Sequence, residues 1–307
     1  MIDLTVNLAG VKLSNPVLPA SGTWEATSSH EGFYDPGKLG AVISKTIYLK
    51  PRPGNPPPRI VETPCGMLNA VGIPGEGAKA FIAETLPLLH RLGPPVIVSI
   101  AGDSVAEFAS LAELISETGL AHFLELNLSC PNLQNGIPWA TDPIKLDQVI
   151  SQVVKVTSLP VIAKLSPAVT DIAAMALVAE QAGARALAIA NTLRGMAIDI
   201  RTRRPALGNV TGGLSGPAVR PLAVYAVYVT YTKVKIPIIG MGGISCWQDA
   251  VEFLLAGSTA LAVGTASFAN PVVMKEIVQG LEEYLRENGF SAVQEIVGLA
   301  QGSHKPA

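Results

Sequence analysis

Eight short apolar runs, with helix-periodic segments between most of them, predict a closed (β/α)8 TIM barrel for this chain of 307 residues. The runs are almost continuously apolar, as expected of parallel strands covered on both faces. Two long Gly/Pro-rich excursions follow candidate strands, at the barrel end where active sites are built. The expected architecture is therefore α/β: a barrel with an N-terminal β-hairpin and two long inserted active-site loops, all in one domain over residues 1–307.

The elements follow in order. Leu4–Leu8 and Val11–Leu13 flank Gly10 and read as the hairpin that closes the far end of the barrel. The candidate strands are Pro16–Ala20, Ala41–Thr46, Val96–Ile100, Phe123–Asn127, Val161–Leu165, Ala186–Ala190, Ile236–Met241 and Ala260–Val263. Ala106–Thr118 carries apolar residues at helical spacing. A second helix starts at Pro143 behind Asp142, an N-cap followed by proline at the first helical position. Thr170–Ala182 and Ser245–Ala256 each stop at a glycine, Gly183 and Gly257. Pro217–Thr232 and Pro271–Asn288 complete the later set. The excursions are residues 47–77 and 191–216.

Composition excludes several classes of function. With 22 basic and 24 acidic residues the net charge is −2, which offers no field for nucleic acid. Apolar residues make up 49%, which argues against disorder. Charged residues are only 15%, against about 25% in ordinary soluble chains. No apolar run reaches the roughly 18 residues of a membrane span. The N-terminus lacks the basic start and apolar core of a signal peptide, so a cytoplasmic location is expected. Cys65, Cys130 and Cys246 are too few for a disulfide scaffold. His30, His90, His122 and His304 are scattered without ligand spacing, so no metal site is expected.

Several motifs sit at strand ends. The seventh strand runs into Met241–Ser245 (MGGIS) and the eighth into Val263–Ser267 (VGTAS). Glycines at both places let backbone N–H groups approach an anion, which favours a phosphate site over mere tight turning. Gly216 in LSGP adds a donor. Leu126–Asn132 (LNLSCPN) puts Asn127 at a strand tip and Cys130 on the following loop. From spacing, Cys130 reads equally as a reactive thiolate or as a small buried apolar residue. Lys45 and Lys164 end apolar strands, where an unpaired charge is costly, so ligand contact is favoured over snorkelling. Asn69, Asn191 and Thr192 can read a substrate's hydrogen-bonding edge. Arg201–Arg204 (RTRR) reads as a solvated loop.

Taken together, SKT (44–46), NAVG (69–72), LNLSCPN (126–132), Lys164, ANT (190–192), NVTGGLSGP (209–217), IIGMGGIS (238–245) and VGTASF (263–268) resemble class 1 dihydroorotate dehydrogenase, closest to subclass 1B. The resemblance covers nearly the whole chain in motif order. It implies one FMN per chain in the barrel mouth and oxidation of (S)-dihydroorotate to orotate in de novo pyrimidine synthesis. Cys130 is then the base at C5, while C6 delivers hydride to flavin N5. Lys45 and Asn127 would touch flavin and substrate. Asn69, Ala70, Val71, Gly72, Ile73, Asn191 and Thr192 would hold dihydroorotate. Ser21, Thr46, Ser99, Lys164, Ala190, Gly216, Gly242, Gly243, Gly264 and Thr265 would line the FMN site.

Subclass 1B also implies a homodimer within a heterotetramer, its second subunit carrying FAD and a [2Fe-2S] cluster, with NAD as acceptor. A cluster needs about four thiolates, which three scattered cysteines cannot supply here. Ser99 stands where the family usually has asparagine, and Ala190 replaces a larger aliphatic residue. Residues 74–77 (PGEG) and 134–137 (QNGI) also depart from the family pattern. The competing readings are a homodimeric fumarate-using enzyme, a related flavin reductase acting on another pyrimidine and, in another class, a flavin-free phosphate-binding barrel acting as an isomerase, an aldolase or a silent scaffold.

Overall fold

The computed structural model of the protein describes residues 2–25, 32–129 and 139–302. β1 (Val6–Leu8) and β2 (Val11–Leu13) pair antiparallel as the expected hairpin. Ala9 and Gly10 at its tip share a groove with Val161 and Ile238, which begin two barrel strands, so the hairpin covers the N-terminal end of the barrel.

β3 (Val17–Pro19) and β4 (Val42–Ile43) open the barrel sheet. β5 (Ile60–Thr63) and β6 (Gly66–Asn69) form a hairpin in the first excursion. Next come α1 (Ala78–Ala80), a π-helical stretch at Phe81–Thr85 and α2 (Leu86–Arg91). β7 (Val96–Ile100), α3 (Val105–Glu117), β8 (Phe123–Asn127), α4 (Pro143–Val156), β9 (Val161–Lys164), α5 (Ile172–Gln181) and β10 (Ala186–Ile189) alternate as the sequence predicts. The second excursion carries β11 (Leu193–Gly195), β12 (Ile198–Asp199), β13 (Arg204–Pro205) and β14 (Gly212–Ser215). The chain closes with α6 (Arg220–Tyr231), β15 (Ile238–Met241), α7 (Trp247–Ala256), β16 (Ala260–Val263), α8 (Ala266–Ala269) and α9 (Val273–Glu287).

Eight parallel strands join in the order β3-β16-β15-β10-β9-β8-β7-β4. The remaining seam, between β3 and β4, is bridged where Gly40 N–H donates to Val17 O at 2.9 Å. A Cβ on residue 40 would lie 1.9 Å from Asn15 O, so only glycine lets the seam come this close. Strands β7, β9, β10, β15 and β16 are buried along their whole length. Their apolar side chains meet those of the helices in one continuous core.

The Asp142 cap acts as expected from the sequence, and the structure adds two more at Ser104 and Asp171. Ser104 accepts from Glu107 N–H at the start of α3, and Asp142 accepts from Ile144 and Lys145 N–H at the start of α4. Asp171 does the same for α5 through Ala174 N–H.

The structure differs from the sequence reading in the excursions. Both were expected as loops, but they pair with each other in a four-stranded antiparallel sheet, β11-β14-β6-β5, over the C-terminal end of the barrel. The sheet has its own small core of Leu68, Ala70 and Leu207. Its strands are four residues or fewer and only partly buried, which leaves no alternating pattern to read. Residues 78–91 are helical, although no helix was expected there.

A pH-sensitive contact ties two barrel strands together. His122 N–H donates to Val96 O at 2.8 Å, and His122 Nδ1 accepts from Val96 N–H at 3.0 Å. The His90 ring stacks on His122 at 6.0 Å. Burial and the neighbouring His90 hold the His122 imidazole below the usual histidine range. Protonation at Nδ1 would replace its acceptor by a donor. The unfolded value is about 6.5, so this contribution to stability is full above that pH and is lost as pH falls through the lower folded value. The midpoint of thermal unfolding should fall between pH 7 and pH 5, and His122→Gln should flatten part of that slope. An identical slope in the variant would rule out this contact as a source.

Candidate active site

The C-terminal ends of β3, β4, β7, β8 and β10 bring hydroxyls and amides together. Ser21 Oγ and Thr46 Oγ1 are 2.9 Å apart. Thr46 Oγ1 also lies 2.9 Å from Ser99 Oγ and accepts from Asn127 Nδ2 at 3.2 Å. Asn127 Oδ1 in turn accepts from Asn191 Nδ2 at 3.2 Å. One connected network therefore links Ser21, Thr46, Ser99, Asn127 and Asn191, five residues the sequence had placed in the site.

Beneath this network lies an ion pair the sequence did not reveal. Glu125 is 1% exposed, and its Oε1 accepts from Ser99 Oγ at 2.8 Å and from Lys164 Nζ at 3.4 Å. Lys164 is itself 5% exposed. Register explains the meeting: Ser99 pairs with Glu125 across β7 and β8, and Asn127 with Lys164 across β8 and β9. The available signal was a lone acid inside the apolar run FLELN.

A second cluster forms at the ends of β14, β15 and β16. Gly216, Gly242 and Gly243 all have positive φ (95°, 114° and 84°). A Cβ on Gly243 would lie 2.7 Å from Arg220 Cβ and 2.9 Å from Gly216 O, so the loops fit only with glycine there. Thr265 Oγ1 donates to Ser215 Oγ at 2.8 Å, which joins the turn after β16 to the residue before Gly216. Gly264 lies at the same turn, with Ala20 Cβ 3.4 Å from where its own Cβ would be.

Asp249 fixes this cluster from below. It is 2% exposed and accepts from Ser245 N–H at 2.8 Å and Ser245 Oγ at 2.7 Å. It also pairs with Arg220 at the start of α6. Arg220 Nε reaches Glu252 at 3.2 Å.

The excursion sheet carries the other site residues. Asn69 ends β6 and donates from Nδ2 to Gly213 O at 3.4 Å. Thr192 lies against Gly213, where a Cβ would meet its Oγ1 at 2.2 Å. Residues 69–73 are held by Asn55, whose N–H donates to Val71 O at 3.1 Å and whose Nδ2 donates to Ala70 O at 3.1 Å. Gly72 and Ile73 both have positive φ (78° and 50°). Ile73 and Lys45 line one cavity of about 260 Å³ with Trp24, Arg52, Glu76 and Phe81. Ala190 is buried and donates its N–H to Met241 O at 2.9 Å, between the two clusters.

Cys130 lies outside the described residues, as do residues 134–137. Its flanks are placed at the mouth: Ser129 Oγ donates to Lys164 O at 3.4 Å, and Ala140 N–H donates to Leu128 O at 2.9 Å. Cys65 is exposed on the β5–β6 turn, and Cys246 is half-buried ahead of α7. No cluster of three or more metal-ligating side chains occurs among the described residues. No helix among them is long and apolar enough to cross a membrane.

The family model described as dihydroorotate dehydrogenase matches residues 3–285. The chain belongs to the dihydroorotate dehydrogenase family. It is 50% identical over 300 residues to the dihydroorotate dehydrogenase B (NAD(+)) catalytic subunit of Pelobacter propionicus, covering 97% of this chain and 99% of that one. It is 51% identical to the protein of the same name from Desulforudis audaxviator, covering 97% and 98%. A third of that name, from Geotalea uraniireducens, is 48% identical over 96% of this chain and 97% of its own.

Removal of Asp249 should strand the Ser245 donors and one side of Arg220. Hydrogen bonds to a charged group contribute about 1.5–3 kcal/mol. Asp249→Ala should therefore lower unfolding free energy in urea by about 2 kcal/mol. Glu252→Ala, at the exposed end of the same arginine, should change it by less than about 0.5 kcal/mol. Equal losses would show that Asp249 is not the organising partner.

Proposed function

We propose that residues 1–307 form one FMN-binding barrel that is the catalytic subunit of an NAD-linked dihydroorotate dehydrogenase. It oxidises (S)-dihydroorotate to orotate in de novo pyrimidine (UMP) synthesis. The observation that supports this reading best is the network of Ser21, Thr46, Ser99, Asn127 and Asn191 over buried Lys164, at the mouth of a barrel of this family.

The described residues fit FMN. Gly216, Gly242, Gly243, Gly264 and Thr265 supply a glycine-walled cradle for a phosphate, and a side chain on Gly243 would break it. Ser21, Thr46, Asn127 and Lys164 supply polar groups for the ring system, with Ser99 and Ala190 packed beneath and beside them. Bound FMN supplies the two-electron acceptor chemistry.

The chain's own residues do the rest. Asn69, Ala70, Val71, Gly72, Ile73, Asn191 and Thr192 hold and orient the dihydropyrimidine. Lys45 offers a cation to the substrate carboxylate and, with Asn127, touches both ligands. Cys130, one residue beyond Ser129, takes the proton from substrate C5 as thiolate, and bound FMN would supply the acceptor for the two electrons lost at C6.

The proposed partner is a subunit carrying FAD and a [2Fe-2S] cluster, with NAD as final acceptor. It would join a homodimer of this chain in a cytoplasmic heterotetramer. Exposed apolar residues on the second excursion, Met196, Ile198 and Ile200, support a covered surface there.

Purified protein should show flavin absorbance, or gain it when FMN is added. No flavin bands under either condition would overturn the reading. Cys130→Ala should bind FMN within a few-fold of wild type but be reduced by dihydroorotate about 10²–10⁴-fold more slowly. Near-normal reduction would reject Cys130 as the base. The isolated chain should pass electrons from dihydroorotate to an artificial dye but not to NAD or fumarate; turnover with fumarate alone would point to a partner-free enzyme.

A further inference from the structure

Glu125 has no part in the reaction as described, yet it is 1% exposed and lies directly under the site. Isolated charges are rarely placed in a protein interior, since desolvation costs several kcal/mol per ion. Among the described residues the buried charged side chains are Glu125, Lys164 and Asp249. Asp249 is taken up by Arg220 and Ser245 at the other cluster. That leaves Glu125 and Lys164 to each other, at 3.4 Å.

We propose that Glu125 is a positioning residue for the reaction: its carboxylate holds the Lys164 ammonium in place and offsets its charge toward the flavin. This rests on the flavin reading above. One oxygen, Oε1, serves both Lys164 Nζ and Ser99 Oγ. The ammonium is thereby tied to the chain Ser99–Thr46–Ser21, and through Thr46 to Asn127. Lys164 and Asn127 also pair across β8 and β9, so both ligand-facing groups share one anchor.

The charge consequence follows from Coulomb's law in a dry site. A lone ammonium beside a flavin favours the more negative, reduced form. A carboxylate beside that ammonium cancels much of this preference. The Glu125–Lys164 pair is thus close to neutral as seen from the mouth, where Lys45 is the other strand-tip cation. Reduction by substrate needs a potential high enough to take the electrons, and their onward loss needs one that is not pinned high.

The test uses the FMN-loaded chain, with potential measured by dye equilibration and FMN affinity by fluorescence titration of the apoprotein. Glu125→Gln keeps an oxygen for Ser99 and removes the charge. It should favour the two-electron reduced flavin about tenfold, a rise of about 30 mV. Lys164→Gln should shift the potential the opposite way and weaken FMN binding about tenfold. The Glu125→Gln/Lys164→Gln double variant should return toward the wild-type potential, and Glu125→Asp should stay near it. Ser99→Ala, which removes a neutral partner, should move it by less than a threefold change in the same ratio.

A purely structural role predicts looser FMN binding in every variant, without opposite shifts or their cancellation. An unchanged or lowered potential in Glu125→Gln, or no cancellation in the double variant, would overturn the proposal. If Glu125→Gln does not fold, the Lys164→Gln and double variants decide it by the same cancellation. Wild-type protein that binds no FMN would instead fail the flavin reading itself.

Discussion

The buried Glu125–Lys164 pair is the constraint around which the mouth of the barrel is arranged. Barrels of this type fill their interior mainly with branched apolar side chains. Here Ser99, Glu125, Asn127 and Lys164 put a polar layer at the ends of β7, β8 and β9 instead. Such a layer is tolerable only when every member has a partner, because a buried polar group left alone costs more than its bond contributes. Glu125 meets that condition through Ser99 and Lys164, and Thr46 extends it to Ser21 and Asn127. Replacing Glu125 takes a partner from both Ser99 and Lys164, so the layer depends on it more than on any neutral member.

The apolar strands below make that layer affordable. Strands buried on both faces join every barrel strand to the surrounding helices in one core. The excursion sheet above the strand ends joins chain segments far apart in sequence: Asn69 meets Gly213 across 144 residues, and β6 lies against β14. β14 spans about 10 Å at the usual strand rise. One end lies by Asn69 and Thr192, and the other leads through Ser215 to Gly216 and Thr265. A single short strand thus sets the spacing between the amide-rich end of the site and the glycine cradle.

The barrel was legible because its elements are written in local chemistry. Val96–Ile100, Phe123–Asn127 and Ala260–Val263 emerge with the bounds expected, since a run buried on both faces is apolar from end to end. Other strands are shorter than expected by a residue or more at their ends, as with Val17–Pro19 and Val42–Ile43. Helix starts at Asp142–Pro143 and stops at Gly257 follow from side-chain and backbone rules that act within a few residues. Lys45, Asn127, Lys164 and the glycines stand out for the same reason: each is an exception at the end of a regular pattern.

What was illegible depends on distant pairing. The sheet of β5, β6, β11 and β14 exists because two Gly/Pro-rich excursions find each other, and neither carries an alternating pattern of its own. Glu125 shows the same limit in a single residue. Within FLELN it is only a lone acid in an apolar strand, a pattern that could equally mark a misplaced strand. Its partner lies 39 residues away on β9, and its second ligand, Ser99, lies 26 residues back on β7. Lys164 was read as a strand-tip cation aimed at a ligand, with no account of what kept it from the solvent. The acid in one strand and the cation in the next each looked anomalous alone. The register that sets Asn127 opposite Lys164 makes them a single device, and a charge inside a parallel strand is better read as half of a pair whose other half should be sought on the adjacent strand.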